Sequence, residues 1–299
     1  MTYSIVASDR QTGTLGAAVQ SHWFAAGIVC WAEAGVGAVA TQATALVEHG
    51  PLALDLMRRG ASASEALAAR LDADEDREHR QVAMVDVQGR VAAHTGSSCI
   101  REAGHRRGEG FSCQANMMRR DTVWDAMHEA FAGSSGDLAE RLLVTLEAAE
   151  AEGGDIRGRQ AARILVVRAR PTDRPWEDVL VDLRVDDHPA PVPELRRLLE
   201  LHRAYERLER AEQLELEGDL DGSFAERQAA MRAVPGSAEI AFWTAISLAL
   251  HDRLEEARTA LAVALPADPG WAELLRRLGD QRLMRLTPEL VRSILAPAG

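Results

Sequence analysis

The chain has 299 residues, of which 46% are hydrophobic and 27% charged, proportions that are ordinary for a globular protein with a sizeable core. Its formal net charge of −12 argues against a nucleic acid or an anionic membrane surface as the main partner. All 34 basic residues are arginine, which excludes any mechanism that uses a lysine amine.

The chain opens with short strand-like runs. Residues 2–8 alternate and are rich in β-formers, the turn DRQTG follows them, and residues 14–21 predict a second strand. Two more strand-like runs lie within residues 26–43 and are interrupted near Gly35 and Gly37. The sequence therefore predicts several strands in succession before the first helix.

Helices and strands then follow in blocks. Residues 46–60 and 62–74 have helical spacing, with Ser62 as the expected N-cap of the second helix. Residues 80–96 predict a hairpin that turns at Gln88-Gly89, and residues 108–118 predict one further strand.

Two helices within residues 121–152 and two strands, ARILVVRA and DVLVDLRVD, close this part of the chain. The order is neither regular βαβ alternation nor all-β. It predicts an α+β fold over residues 1–185 with helix pairs on two faces, such as a four-layer αββα sandwich.

Residues 186–194, DDHPAPVPE, carry three prolines and predict a linker to an all-helical domain over residues 186–299. Two similar segments end at Pro235 and Pro269, 34 residues apart (269 − 235), which is the tetratricopeptide period. The same pattern also fits an ordinary bundle of helical hairpins, and the sequence leaves both interpretations open.

No signal peptide is apparent, because the N-terminus lacks a basic region followed by an apolar one. No apolar run approaches the ~18 residues that a membrane span needs. Cys30, Cys99 and Cys113 are odd in number and widely spaced, which indicates free thiols in a reducing compartment. We therefore expect a cytoplasmic protein.

Candidate chemical groups lie where strands end. His22, His94 and His105 stand at strand ends or in loops, where a histidine is a better site candidate than one in a helix, although most such histidines are solvated side chains. A zinc site built from them is an alternative, although the chain has no CxxC, HxH or HExxH spacing.

The segment GGDIRGRQ, between a helix and a strand, carries more polar residues than such a turn needs. Asp155, Arg157 and Gln160 either orient something at the end of the sheet or form a solvated turn. In the second case an Asp155–Arg157 ion pair would contribute little to stability, because exposed ion pairs are weak in water.

Five motifs together resemble an uncharacterised bacterial family, domain of unknown function 1028, which is placed in the Ntn-hydrolase superfamily. They are YSIVASD…TGTLGAAVQSHWFAAG, WAEAGVGAVATQA, VAAHTGSSC, GEGFSCQANMM and GGDIRGRQAA, and the resemblance covers roughly residues 2–185. Residues 186–299 resemble a segment of some members that is called peptidoglycan-binding, here merging into tetratricopeptide-like helices.

The resemblance implies an αββα sandwich and a nucleophile at the mature N-terminus, which matches Thr2 once Met1 is removed. Proteasome-type members carry an Asp-Ser-Arg after the second strand, where this chain has Gln20-Ser21-His22. They also carry a lysine, which is absent here, and an Asp-x-x-Ser-Gly turn, of which only Asp155 matches.

The leading hypothesis is an N-terminal-nucleophile amidohydrolase that acts on a small amide or peptide-like substrate without a cofactor or metal. Thr2 Oγ1 attacks the carbonyl and its own α-amine accepts the proton; His22 and Asp155 orient that amine. Asn116 and a backbone N–H near Thr41-Gln42 stabilise the oxyanion. The residues expected to bind substrate are Thr41, Gln42, His94, His105, Arg157 and Gln160, with Arg157 bidentate to a carboxylate.

A second hypothesis is a non-catalytic binding or scaffold protein on the same fold, whose helical tail binds a protein or peptide partner. A third is a metal-dependent enzyme that uses His22, His94 and His105. In each case we expect a homo-oligomer that binds neither nucleic acid nor membrane.

Overall fold

The computed structural model describes residues 2–281 and 283–296. The chain divides into two units, residues 1–197 and 198–299, each with its own core. The division lies within a helix, Pro191–Glu217, that begins inside the stretch expected to be a linker. Pro191 and Pro193 are compatible with this helix because the N–H groups of a first turn have no intrahelical acceptor to lose.

Two antiparallel sheets form the first unit. Their strands are β1 (Thr2–Asp9), β2 (Thr14–Ser21), β3 (Cys30–Glu33), β4 (Gly37–Ala43), β5 (Arg80–Asp86), β6 (Val91–Thr95), β7 (Gly104–Gly108), β8 (Phe111–Asn116), β9 (Ala161–Arg168) and β10 (Val179–Val185). The larger sheet has the order β10-β9-β2-β1-β8-β7, and the smaller has the order β3-β4-β5-β6. Each neighbouring pair is antiparallel, as short hairpin connections favour.

Four helices pack against the outer faces of these sheets. They are α1 (His49–Arg58), α2 (Ala63–Asp72), α3 (Val123–Gly133) and α4 (Leu138–Ala151). Helices α1 and α2 cover the smaller sheet through a core that includes Val39, Val82 and Met84. Helix α4 lies on β1, β2 and β9, and α3 lies on β7 and β8.

The inner faces of the two sheets meet through small apolar side chains. Val6, Ala17 and Val19 of the larger sheet pack against Ala40 and Ala83 of the smaller one. Because side chains alternate between faces, the same inner face continues into polar residues at one end of the strands. That polar end holds the candidate site.

Strand β7 differs from the sequence prediction, which placed a single strand at residues 108–118. The structure has a hairpin there, β7 and β8, with Gly110 in the left-handed region at φ 78°. The segment GHRRG of β7 has no apolar alternation, and its pairing with Phe111–Asn116 makes it a strand.

The predicted C-terminal helical region is confirmed. Its helices are α5 (Pro191–Glu217), α6 (Leu220–Ala233), α7 (Ala238–Leu250), α8 (Leu254–Ala264), α9 (Gly270–Asp280) and α10 (Pro288–Leu295). Helices α6 and α8 begin 34 residues apart (254 − 220), and Ala230 and Ala264 are both fully buried. Across the described parts of the chain, none of the helices is long and apolar enough to cross a membrane.

Candidate functional site

Thr2 lies at the polar end of the space between the sheets and is only 6% exposed. Its Oγ1 donates a hydrogen bond to Ser21 Oγ at 3.1 Å. Its carbonyl oxygen accepts from Gln42 Nε2 at 3.1 Å and from Asn116 Nδ2 at 3.3 Å. Side chains from both sheets therefore hold the backbone of this threonine.

Gln81 joins these amides into one network. Its Oε1 accepts from Gln42 Nε2 at 2.7 Å and from Asn116 Nδ2 at 3.0 Å. Its Nε2 donates to Thr95 Oγ1 at 2.9 Å, and that hydroxyl lies 2.8 Å from His105 Nδ1. A buried network with its groups satisfied is rigid, and it fixes the strand ends around Thr2.

The network continues one step further along the strands. Ser4 Oγ donates to Gln42 Oε1 at 2.7 Å and accepts from Gln114 Nε2 at 2.6 Å. Ser4, Gln42 and Gln114 are each at most 1% exposed. The register of β1 with β8, which places Ser4 opposite Gln114, brings these side chains together.

Asp155 is buried at 3% exposure, although a solvated turn was one expectation for it. Its carboxylate accepts from the backbone N–H of His22 at 3.2 Å and from that of Arg157 at 2.9 Å. The Arg157 guanidinium lies 3.1 Å from it through Nη2. The imidazole of His22 faces the carbonyl of Arg159 instead, at 3.2 Å from Nδ1.

Ser21 links the two halves of the site. It contacts Thr2 through its hydroxyl, and the next residue, His22, is bound by Asp155. Ser21, Gln81 and Gln114 were not among the site residues predicted from the sequence. The alternation of side chains along β2 could have indicated Ser21, because it places Ser21 on the same face as Val19 and Ala17, which pack against the smaller sheet.

A cavity of about 310 Å³ opens beside Asp155. Arg119, Glu150 and Arg159 line it, and Glu150 pairs with Arg159 and accepts a hydrogen bond from the Tyr3 hydroxyl. Burial raises the pKa of Tyr3 well above its usual range, and the Glu150 carboxylate raises it further.

Gln20 is a second polar residue on the same side of the larger sheet as Tyr3, its partner in the β1–β2 register. The Gln20 side chain is fully buried, and neither amide atom has a hydrogen-bond partner within the described residues. A buried amide without hydrogen bonds lowers the stability of the fold unless a water molecule or another polar group bonds to it.

The structure connects the four predicted catalytic residues in one series: Asn116 and Ser21 are hydrogen-bonded to Thr2, and His22, the chain neighbour of Ser21, is hydrogen-bonded to Asp155. Met1, whose removal the leading hypothesis requires, lies outside the described residues. Of the predicted substrate-binding residues, Gln42, His105 and Arg157 belong to the same series.

Thr41, His94 and Gln160 lie outside this series. Thr41 shares the face of β4 that packs on α1 and α2, and its hydroxyl is buried without a partner in the described residues. His94 Nε2 lies 2.9 Å from the carbonyl of Arg77, and Gln160 donates to Asp187 at 3.1 Å.

No three His, Cys, Asp or Glu side chains come together in a way that could hold a metal ion, as far as the structure describes the chain. The three histidines proposed for zinc contact three different partners. These are the carbonyls of Arg159 and Arg77 and the hydroxyl of Thr95.

The first unit is similar to known proteins in both sequence and structure. Residues 2–195 match the model of a family of unknown function, DUF1028. A crystal structure of a DUF1028 protein from Silicibacter pomeroyi is similar, with 32% sequence identity and a TM-score of 0.60. The match covers 67% of this chain and 84% of that one. Among curated proteins, none matches this chain.

Proposed function

We propose that this protein, which belongs to the DUF1028 family, is an N-terminal-nucleophile amidohydrolase that acts on a small amide or peptide-like substrate. The nucleophile is Thr2, exposed as the first residue once Met1 is removed. The observation that carries the proposal is the setting of Thr2: its Oγ1 is 3.1 Å from Ser21 Oγ, and two amide side chains hold its carbonyl.

The layer order of the first unit supports the proposal. Helix pairs lie outside two facing antiparallel sheets, which is the αββα order expected of the Ntn-hydrolase superfamily. Thr2 is the first residue of β1, a central strand of the larger sheet. A central strand is held on both sides, so a nucleophile at its end is held rigidly.

The reaction proceeds in two balanced stages. Thr2 Oγ1 attacks the amide carbonyl while its proton passes to the free α-amine of the same residue. The leaving amine takes that proton, and an ester to Thr2 remains; water then hydrolyses the ester and restores the hydroxyl. An α-amine titrates at about 7.7–8.0, so it can accept a proton near neutral pH.

The remaining residues position this nucleophile. Asn116 and Gln42 fix the Thr2 carbonyl, and both N–H groups of Asn116 already have acceptors, Thr2 and Gln81. We therefore assign Asn116 a positioning role instead of the oxyanion contact that the sequence suggested. Asp155 holds the backbone of His22, next to Ser21, at the start of the loop after β2.

Arginine side chains at the cavity beside Asp155 are suited to a substrate carboxylate. The Arg157 guanidinium is engaged by Asp155, so we assign this contact to Arg119, which lines the 310 Å³ cavity. An arginine can bind a carboxylate through two parallel hydrogen bonds.

The test begins with the intact mass of the purified protein, which should lack one methionine residue. A screen over small amides, acylated amino acids and short peptides then compares wild type with Thr2→Ala and Thr2→Ser. We expect Thr2→Ala to lose activity by roughly a thousandfold or more and Thr2→Ser to keep a measurable part of it, because serine retains the hydroxyl.

Thr12→Ala is the matched control, since Thr12 is an exposed residue of the β1–β2 turn. Full activity in Thr2→Ala, or activity in a protein that retains Met1, would show that Thr2 is not the nucleophile.

A second candidate function is ligand binding without catalysis. The observation that favours it is the mutual satisfaction of the polar groups: the Asp155 carboxylate, the Asn116 amide and the Thr2 hydroxyl each have protein partners. On this reading Thr2→Ala changes stability slightly, and no substrate in the screen is hydrolysed by either protein.

For the second unit we propose tetratricopeptide-like repeats. The matching starts of α6 and α8 and the burial of Ala230 and Ala264 support this repeat. Superposition of the α5–α6 and α7–α8 hairpins in an experimental structure tests it, and hairpins that do not superpose indicate a plain bundle.

A further inference from the structure

The helical unit contains a cavity of about 640 Å³, within the size range of sites for small molecules. The end of α5, Arg227 of α6, the second half of α7, and the pair Met284 and Arg285 surround it. Its apolar lining includes Leu216, Trp243, Leu250 and Met284, of which Leu216 is 87% exposed. This lining is suited to an apolar group of modest size.

A partly buried ionic cluster lines the same cavity. Arg227, at 4% exposure, donates to Glu215 through Nη2 at 2.9 Å. Glu215 also accepts from Ser247 Oγ at 2.9 Å and lies 2.8 Å from His251 Nε2. Burial alone would raise the pKa of Glu215, but the hydrogen bonds from His251, Ser247 and Arg227 lower it, so the carboxylate is ionised at neutral pH.

Arg227 keeps unused donors. A guanidinium has five N–H groups, and in the described residues only Nη2 of Arg227 has an acceptor. Its Nε is buried with no partner there. That Nε is enclosed by protein and out of reach of a ligand, whereas Nη1 is not among the fully buried atoms and has no acceptor in the described residues.

Two opposite charges at the cavity are also unpaired. The side chains of Glu212 and Arg285 both line it and are exposed, and neither side chain makes an ion pair or hydrogen bond with any residue that the structure describes. They do not pair with each other either, so both charges are available to a ligand in the cavity.

We propose that this cavity binds a free amino acid with a large apolar side chain. The carboxylate of the ligand is held by Arg285 and by Nη1 of Arg227, which has no acceptor among the described residues. Its ammonium group is held by Glu212, and its side chain packs on Leu216, Trp243 and Met284. This site lies within the helical unit and is independent of the amidohydrolase proposal.

Titration calorimetry of the full-length protein with phenylalanine tests the inference. Three probes each lack one group: phenylpropanoate has no ammonium, phenethylamine has no carboxylate, and glycine has no side chain. We expect saturable binding of phenylalanine and at least roughly tenfold weaker binding of each probe, as for the loss of one charge-assisted contact or one apolar group.

Variants assign the contacts. Arg285→Gln should weaken the binding of phenylalanine roughly tenfold and leave the binding of phenethylamine, which has no carboxylate, unchanged. Glu212→Gln should also weaken the binding of phenylalanine roughly tenfold, but leave the binding of phenylpropanoate, which has no ammonium group, unchanged. Both residues are exposed, so these variants should fold, as circular dichroism would verify. Arg276→Gln is the control, because Arg276 is exposed on α9 and does not line the cavity.

The inference is overturned if phenylalanine shows no saturable binding. It is also overturned if glycine binds as well as phenylalanine, or if the Arg285 and Glu212 variants bind phenylalanine like wild type. None of these results depends on whether the protein hydrolyses amides.

Discussion

Asp74 is a buried carboxylate that follows α2, and it is held by two other polar side chains. Arg80 Nε lies 2.8 Å from it and His49 Nε2 lies 3.0 Å from it. The hydrogen bond from Arg80 holds the pKa of Asp74 well below its usual range, and the His49 contact acts in the same direction. Burial lowers the pKa of His49.

These two shifts predict a loss of stability in acid. The pKa of Asp74 is lower in the folded state than the ~3.9 of an unfolded chain, so its contribution is complete above that value and declines as the pH falls below it. The pKa of His49 is also lower when folded, so protonation of the unfolded chain weakens stability below about pH 6.5.

Asp74→Asn should therefore reduce the free energy of unfolding by about 3 kcal/mol at pH 7, because it leaves the buried Arg80 with only the more distant and exposed Asp76, at 3.5 Å, as a counter-charge among the described residues. The difference from wild type should shrink at pH 3. Urea unfolding at both pH values measures this, with Asp72→Asn, an exposed residue two positions earlier, as the control. An unchanged difference at the two pH values would contradict the assignment.

At the scale of elements, α2 begins with a capping box that depends on local sequence alone. Ser62 Oγ accepts from the backbone N–H of Glu65 at 3.2 Å, and Glu65 Oε2 accepts from that of Ser62 at 2.8 Å. This confirms the predicted N-cap. Strand β7 is the opposite case, because its Arg-rich segment becomes a strand only through β8.

We expect Ser62→Ala to lower the free energy of unfolding by about 1 kcal/mol, since both bonds of the capping box are lost. Urea unfolding measures the change. Ser64→Ala, an exposed position inside the first turn of the same helix, should be within a few tenths of a kcal/mol of wild type. Equal effects at the two positions would mean that the cap contributes nothing.

At the scale of the first unit, small side chains set how closely the two sheets approach. Ala17 on one inner face and Ala38, Ala40 and Ala83 on the other are fully buried. Side chains of this size leave little space between the inner faces, and protein interiors have few voids to take up added volume.

Ala40→Leu should therefore destabilise the protein by about 2 kcal/mol, because the larger side chain pushes the sheets apart. The midpoint of urea unfolding measures the effect. Ala69→Leu, which adds the same atoms at an exposed position of α2, should change stability by less than about 0.5 kcal/mol. Full stability in Ala40→Leu would show that the sheets are not closely packed there.

Much of the candidate site also depended on tertiary structure. Thr2, Asn116 and Asp155 are separate candidates in the sequence, but nothing in the sequence pairs Gln81 with Gln42 and Asn116. Those contacts join residues more than thirty positions apart, on both sheets. Glutamine also has no strong local preference that would mark it as a site residue.

By itself the sequence determined the features that depend on neighbours in the chain. These are the strand and helix periods, the Ser62 cap, the hairpin turn at Gly89 and the 34-residue offset of the tail. Each follows from interactions within a few residues or from repetition along the chain.

Only the tertiary structure decided the burial of Asp155, the link from Thr2 through Ser21 to His22, and the unpaired charges of the helical cavity. The reason is physical: burial and long-range hydrogen bonds depend on which segments pack together. The local sequence around a polar turn residue is the same whether solvent or another strand covers that residue.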